Sequence, residues 1–225
     1  MAAALGALLL TKSTYVRKLL TSLPKSPPER RRYDHGDLER ALVATAIKII
    51  AAEGVEGLTL RRVGTEIGVS RTALYRHFDH KAALVAKIAA DGFRLLGETL
   101  KRVRANAPAA ADDTLEVMAA AHVHFAAANP SYYATMFGGF LKDWRAYPEL
   151  MQQADAARGE VAEAVREAQR HGLISGGDPV LIAEVMWALT FGIARLGASH
   201  HLGEHPAPVE ALAVRGIRWV SDGSA

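Results

Sequence analysis

The chain has no cysteine among its 225 residues. That excludes disulfide staples and thiolate metal sites, and the expected compartment is the reducing cytoplasm. No alternating apolar–polar run is long enough to require a strand, and no internal repeat is present. A secretory signal carries positive charge before its apolar core, whereas here Lys12, Arg17 and Lys18 follow the apolar Ala2–Leu10 run. That run is too short for a bilayer, and no other stretch reads as a membrane span. Catalytic signatures are also missing: there is no Gly-rich phosphate loop after a strand, no Gly-x-Ser-x-Gly elbow and no His-Glu-x-x-His. Acidic residues scatter over helix surfaces instead of gathering on apolar faces. The formal charge of +3 permits a nucleic-acid partner without demanding one.

The remaining pattern is helical almost throughout. Residues 1–29 read as an extension, either loosely ordered or a short amphipathic helix. It ends in the linker signal Pro24-Lys-Ser-Pro-Pro28, and the basic arm Arg30-Arg31-Arg32 follows. Leu38, Leu42, Ala46, Ile49 and Ile50 form an apolar stripe closed by Gly54. Short helices are predicted over about 60–67 and from Ser70 to near Phe78. A long helix capped by Asp79 carries Leu84, Ile88, Gly92, Leu96 and Leu100. Further helices are expected from Asp113 to Asn129, Tyr132 to Leu141, Pro148 to His171, Asp178-Pro179 to about His200, and Pro208 to Val220. The predicted fold is all-α: a three-helix DNA-binding domain over 30–80, then a helical ligand-binding and dimerisation domain over 81–225.

Residues 58–81 carry the strongest functional signal. Two short helices meet at a tight glycine turn, the helix-turn-helix arrangement. Val63 and Ile67 face inward from the first helix, Val69 lies under the turn, and Leu74 and Phe78 face inward from the second. Arg71, Thr72, Tyr75 and Arg76 are then left outward, the side chains expected of a recognition helix in a major groove. Arginine suits a guanine edge or a phosphate, and threonine can hydrogen-bond or touch a thymine methyl.

The run Gly68-Val-Ser-Arg-Thr-Ala-Leu-Tyr-Arg-His-Phe-Asp-His-Lys81-Ala-Ala-Leu84 resembles the signature of the tetracycline-repressor (TetR) family. Thr59-Leu60-Arg61-Arg62-Val63 and Ile49-Ile50-Ala51-Ala52-Glu53-Gly54 match as well, so the resemblance covers about residues 33–96. It implies that Thr59, Arg61, Tyr75, His77 and Lys81 contact or support contact with phosphates. Arg71, Thr72 and Arg76 would face bases, Ser70 would cap the recognition helix, and Arg30, Arg31 and Arg32 would lie along the DNA. For His77 the competing reading is packing beside the next helix. Arg61 and Arg62 cannot both point to DNA. By family habit the protein is a repressor released from a near-palindromic operator by a small molecule. A helical interaction protein without DNA binding and, more remotely, an enzyme are the alternatives.

The C-terminal part is similar to one subgroup of that family. Tyr33-Asp34-His35-Gly36, Asn129-Pro-Ser-Tyr-Tyr133 and Gln169-Arg-His-Gly-Leu-Ile174 carry the likeness. The subgroup's Trp-x-x-x-His-Gly string reads here Trp187-Ala-Leu-Thr-Phe191-Gly192, with phenylalanine in place of histidine. A ligand pocket needs apolar walls with a few polar groups, for which His122, Phe125, Tyr133, Met136, Trp187 and Phe191 are the candidates. The competing reading for each is ordinary core. Residues 180–196 are apolar around most of their circumference, which calls for burial on two sides. A homodimer is therefore expected through Ala188, Gly192, Ile193, Leu196 and Gly197 with Leu212, Gly216, Trp219 and Val220. His201 and His205 have zinc-compatible spacing, but Gly203 and Pro206 end the helix there. No metal or cofactor is expected.

Overall fold

The computed structural model describes residues 35–107, 113–199, 201 and 208–223. The basic arm Arg30–Arg32, the 1–29 extension and the histidine cluster apart from His201 lie outside the described residues. Among the described residues the regular elements are helices: α1 (His35–Glu53), α2 (Leu60–Ile67), α3 (Arg71–Tyr75), α4 (Lys81–Ala105), α5 (Thr114–Ala128), α6 (Pro130–Phe137), α7 (Pro148–Arg170), α8 (Pro179–Ala198) and α9 (Val209–Gly223). A single 3-10 turn, Trp144–Ala146, precedes α7. The all-α prediction holds.

The chain divides into two compact units. Of the described residues, one holds 35–97 together with Ala128–Ala157, a wider body than the 30–80 segment; the other holds Glu98–Ala127 and Arg158 onward. In the first unit, Leu42, Ala46, Ile49 and Ile50 of α1 are buried as their spacing predicts. Leu84, Ile88, Phe93 and Leu96 of α4 are almost completely excluded from solvent. The segment after α5 also belongs here. Asn129 precedes Pro130 at the first helical position, so α6 starts at Pro130 and ends at Phe137, before the two glycines. The helix predicted over 132–141 is thus real but displaced toward the N-terminus. Met136 lies over Gly92, where a Cβ would sit 2.7 Å from the thioether sulfur. Phe93 meets Phe137 and Trp144 edge-on, with centroids 5.3 and 5.5 Å apart.

The start of α4 departs from expectation. His80, not Asp79, caps it: the Ala83 amide donates to His80 Nδ1 at 3.1 Å. Ser70 and Asp178 cap α3 and α8 as predicted. Ser70 Oγ accepts from Ala73 N at 3.2 Å, and Asp178 Oδ1 accepts from Val180 N at 2.9 Å.

In the second unit α8 packs on α9. Gly197 and Gly216 permit the approach: a Cβ at Gly197 would lie 2.7 Å from Val209 Cγ1, and one at Gly216 3.0 Å from Leu189 Cδ2. By length and composition alone α8 could cross a bilayer. In this fold Ala183, Met186, Thr190, Ile193 and Ala194 of α8 are buried in protein. Glu116, 5% exposed, receives two hydrogen bonds from Arg218 at 2.8 and 2.9 Å, tying α5 to α9.

The turn between α2 and α3 depends on Gly68, whose φ of 72° is left-handed. Gly68→Ala should cost about 1–2 kcal/mol, the penalty of that conformation for a residue with a Cβ. Urea unfolding of both proteins measures it, and an unchanged midpoint would show that the turn relaxes freely.

Candidate DNA interface and ligand cavity

The recognition helix α3 is only five residues long and is held by what lies beneath it. Leu74 is 2% exposed, and its Cδ2 would lie 3.2 Å from a Cβ at Gly64. The absent side chain at 64 lets α3 settle on α2. Phe78 is likewise buried just beyond the helix. With these two residues inward, Arg71, Thr72, Tyr75 and Arg76 are all exposed on one side. The Arg71 guanidinium carbon stands 5.4 Å from the Tyr75 ring centroid, a cation–π contact within the presented set.

The surrounding residues fall into distinct roles. Thr59 caps α2, its hydroxyl accepting from Arg62 N at 3.2 Å. Arg61 is exposed, whereas Arg62 is half-buried and paired. Arg62 donates to both carboxylate oxygens of Glu53 and, from Nε, to Glu66 at 3.1 Å. The hydrogen bond from Arg62 holds the Glu53 carboxyl below its ordinary range. Arg61 is therefore the arginine on offer, and Arg62 fastens α2 to the end of α1. His77 is half-buried with Nδ1 3.9 Å from Glu39 Oε2 on α1. Lys81 donates from Nζ to the Glu56 carbonyl at 3.3 Å and lies 4.8 Å from the Phe140 ring centroid. It braces the turn after α1 from the start of α4. Sequence reasoning missed this brace because Glu56 and Phe140 are distant from Lys81 in sequence.

The six residues named for a ligand pocket divide between the units. His122 and Trp187 come together, with ring centroids 4.9 Å apart, on the wall of a cavity of about 20 Å³ in the second unit. Met118 on α5 and Met186 and Thr190 on α8 also line it, as do Leu100, Val161 and Ile217 from three other helices. Phe125 is buried and Phe191 half-buried, but neither lines this cavity. Tyr133 and Met136 are buried in the first unit instead, because α6 packs against α1 and α4 there. Met118, one turn before His122, was the available signal for this wall. His122 is 2% exposed, and burial lowers its pKa from 6.5 to about 4. The imidazole is thus neutral near pH 7.

The α8–α9 surface also sorts into inward and outward residues. Ile193, Gly197 and Gly216 pack within the chain, where α8 and α9 approach too closely for side chains at the two glycines, and Ile193 and Gly216 also line the open groove that Trp219 borders. Leu181, Val185, Ala188 and Leu196 are exposed along one stripe of α8, and nothing lies within 4 Å of a Cβ at Gly192. Trp219 is 75% exposed and borders this open groove of about 670 Å³ with Leu189, Ile193, Leu212, Gly216 and Val220.

A capped glycine turn, a short buried-edge helix and an exposed Arg-Thr-Tyr-Arg set define a helix-turn-helix regulator of transcription. Residues 42–88 match the family model "Bacterial regulatory proteins, tetR family", and residues 115–220 match "Tetracyclin repressor-like, C-terminal domain". The chain belongs to the TetR family of transcriptional regulators. The class C tetracycline repressor protein of Escherichia coli is 43% identical over 49 residues, 22% of each chain. The HTH-type transcriptional regulator Rv1816 of Mycobacterium tuberculosis is 25% identical over 122 residues, 53% of this chain and 52% of that one. The chain thus spans from about a fifth to about half the length of these curated relatives. A solved structure of a protein with unknown function from Rhodococcus sp. RHA1 is 33% identical with a TM-score of 0.76, covering 87% of this chain and 100% of that one.

Two outcomes follow from these positions. Arg71→Ala should weaken operator binding by about 1–3 kcal/mol and relax preference at one base position, while Arg62→Ala leaves base preference unchanged and lowers stability. Anisotropy titrations over single-base operator variants, with thermal melts, separate the two; equal losses on operator and random DNA would remove Arg71 from the base-reading set. His122 should make stability pH-dependent. Its folded pKa lies below its unfolded value of 6.5, so its contribution is complete above pH 6.5 and is lost as pH falls toward 4. Urea unfolding at about pH 7.5 and about pH 5 should show wild type losing about 2 kcal/mol more than His122→Gln. Parallel losses would assign the acid sensitivity to other groups.

Proposed function

We propose that the protein is a ligand-responsive repressor that binds a near-palindromic operator as a homodimer and leaves it when a small molecule occupies the helical C-terminal unit. The observation that carries this reading is the exposed Arg71, Thr72, Tyr75 and Arg76 set on a helix anchored by Leu74 and Phe78. We further place the chain in the subgroup with a Trp-x-x-x-His-Gly-like penultimate helix, on the strength of Trp187 and Gly192, and in the cytoplasm.

The dimer reading rests on the outward stripe Leu181, Val185, Ala188 and Leu196 of α8 and on Trp219 of α9. Two helices from each chain would form a four-helix bundle. Two-fold symmetry then presents two recognition helices to one face of DNA, with half-sites about one helical turn, roughly 34 Å, apart. The second half-site is bound at high effective concentration, which supplies affinity that one helix lacks. An effector releases DNA only by favouring the arrangement that cannot reach both half-sites.

A gel shift on DNA upstream of the protein's own gene, paired with sedimentation, tests the proposal. Wild type should sediment as a dimer and shift the DNA. Trp219→Glu, a change on an exposed side chain, should give folded monomers that bind poorly. A monomeric wild type with full operator affinity would overturn the dimer, and no shift of any upstream fragment would overturn the repressor.

A further inference from the structure

Resting on that effector reading, we infer that the cavity between His122 and Trp187 takes an uncharged, apolar small molecule and rejects carboxylates, phosphates and other ions. Among the described residues its wall contains no Asp, Glu, Lys or Arg. Thr190 and His122 are its polar side chains, and the Thr190 hydroxyl already donates to the Met186 carbonyl at 2.8 Å. His122, neutral because it is buried, supplies no counter-charge.

Two arginines close in sequence to wall residues are committed elsewhere. Arg218 follows the wall residue Ile217, but both of its hydrogen bonds go to the buried carboxylate of Glu116. Arg104 lies one turn beyond Leu100 on α4 and is held by Glu160 at 2.9 Å and Glu167 at 2.7 Å. An anion in the cavity that took either arginine would strand a carboxylate, and one that drew in no cation would stay buried without a partner. Both are costly in a low-dielectric interior.

The cavity of about 20 Å³ has room for about one water, so an effector must open it. Met118 and Met186 on its wall have flexible, unbranched side chains that can turn aside without moving a helix. An aromatic ligand would find the Trp187 ring, tilted 53° to His122, as a partner.

The test uses the full chain with Trp144→Phe and Trp219→Phe, which leaves Trp187 as the sole tryptophan. Its fluorescence is titrated with two probes of matched shape, benzyl alcohol and benzoate. Benzyl alcohol should give a saturable change and bind at least about tenfold more tightly than benzoate, given the cost of burying an unpaired charge. Ala119→Leu, which fills the wall, should reduce that binding; if it misfolds, the chemical shifts of the His122 ring in the parent protein report occupancy instead. Benzoate binding as well as the alcohol would overturn the inference while leaving this cavity as the effector site. A saturable response to neither probe, up to their solubility limits, would overturn the cavity as the site and leave DNA binding and dimerisation standing.

Discussion

A helix of five residues cannot hold itself in water, because nucleating a helical turn costs more than its few hydrogen bonds return. The recognition helix of this protein therefore exists only through what is buried beneath it. Leu74 sits over Gly64, Phe78 closes the far end, and the left-handed Gly68 sets the angle at which the chain leaves α2. Every outward side chain takes its direction from those contacts. Arg62 and Lys81 extend the same logic with charge. One ties α2 to the end of α1 through Glu53; the other braces the turn after α1 through the Glu56 carbonyl. Basic residues that look interchangeable in a list of DNA contacts are here divided between presenting the surface and fixing its frame.

The second unit meets a different constraint, the cost of polar groups away from water. Glu116 is an acid in the core, sustained by two hydrogen bonds from Arg218 across 102 residues of sequence. His122 meets burial by losing its proton. Thr190 meets it by bonding back to the carbonyl one turn earlier on its own helix. His122 and Thr190 thus border the cavity without adding charge to its wall, whose other described residues are apolar.

Small residues along α8 and α9 do two jobs that composition cannot separate. Gly197 and Gly216 are needed because Val209 and Leu189 of the same chain press against them. Gly192 faces open space and Ala188 is exposed, so nothing among the described residues requires them to be small. Ile193 is buried within the chain yet lines the groove beside Trp219, whereas Leu196, three positions later, is exposed. An amphipathic helix viewed alone offers no way to tell an internal neighbour from an external one.

Local chemistry was therefore readable from the residues themselves. Proline and glycine at Asn129-Pro130, Gly172 and Asp178-Pro179 marked helix ends because they restrict the backbone wherever they occur. The inward period of Leu42, Ala46 and Ile49, and the outward Arg71, Thr72, Tyr75 and Arg76, followed from 3.6 residues per turn. The sequence alone thus determined an all-α chain with a helix-turn-helix near its start. What only the tertiary structure decided was partnership at a distance. It placed Tyr133 and Met136 in the other unit, Met136 over Gly92 of α4, instead of in the cavity with His122, chose His80 over Asp79 as the cap, and paired Glu116 with Arg218. Periodicity fixes which way a side chain points along its own helix, but which helix stands opposite is set by the packing of all of them together.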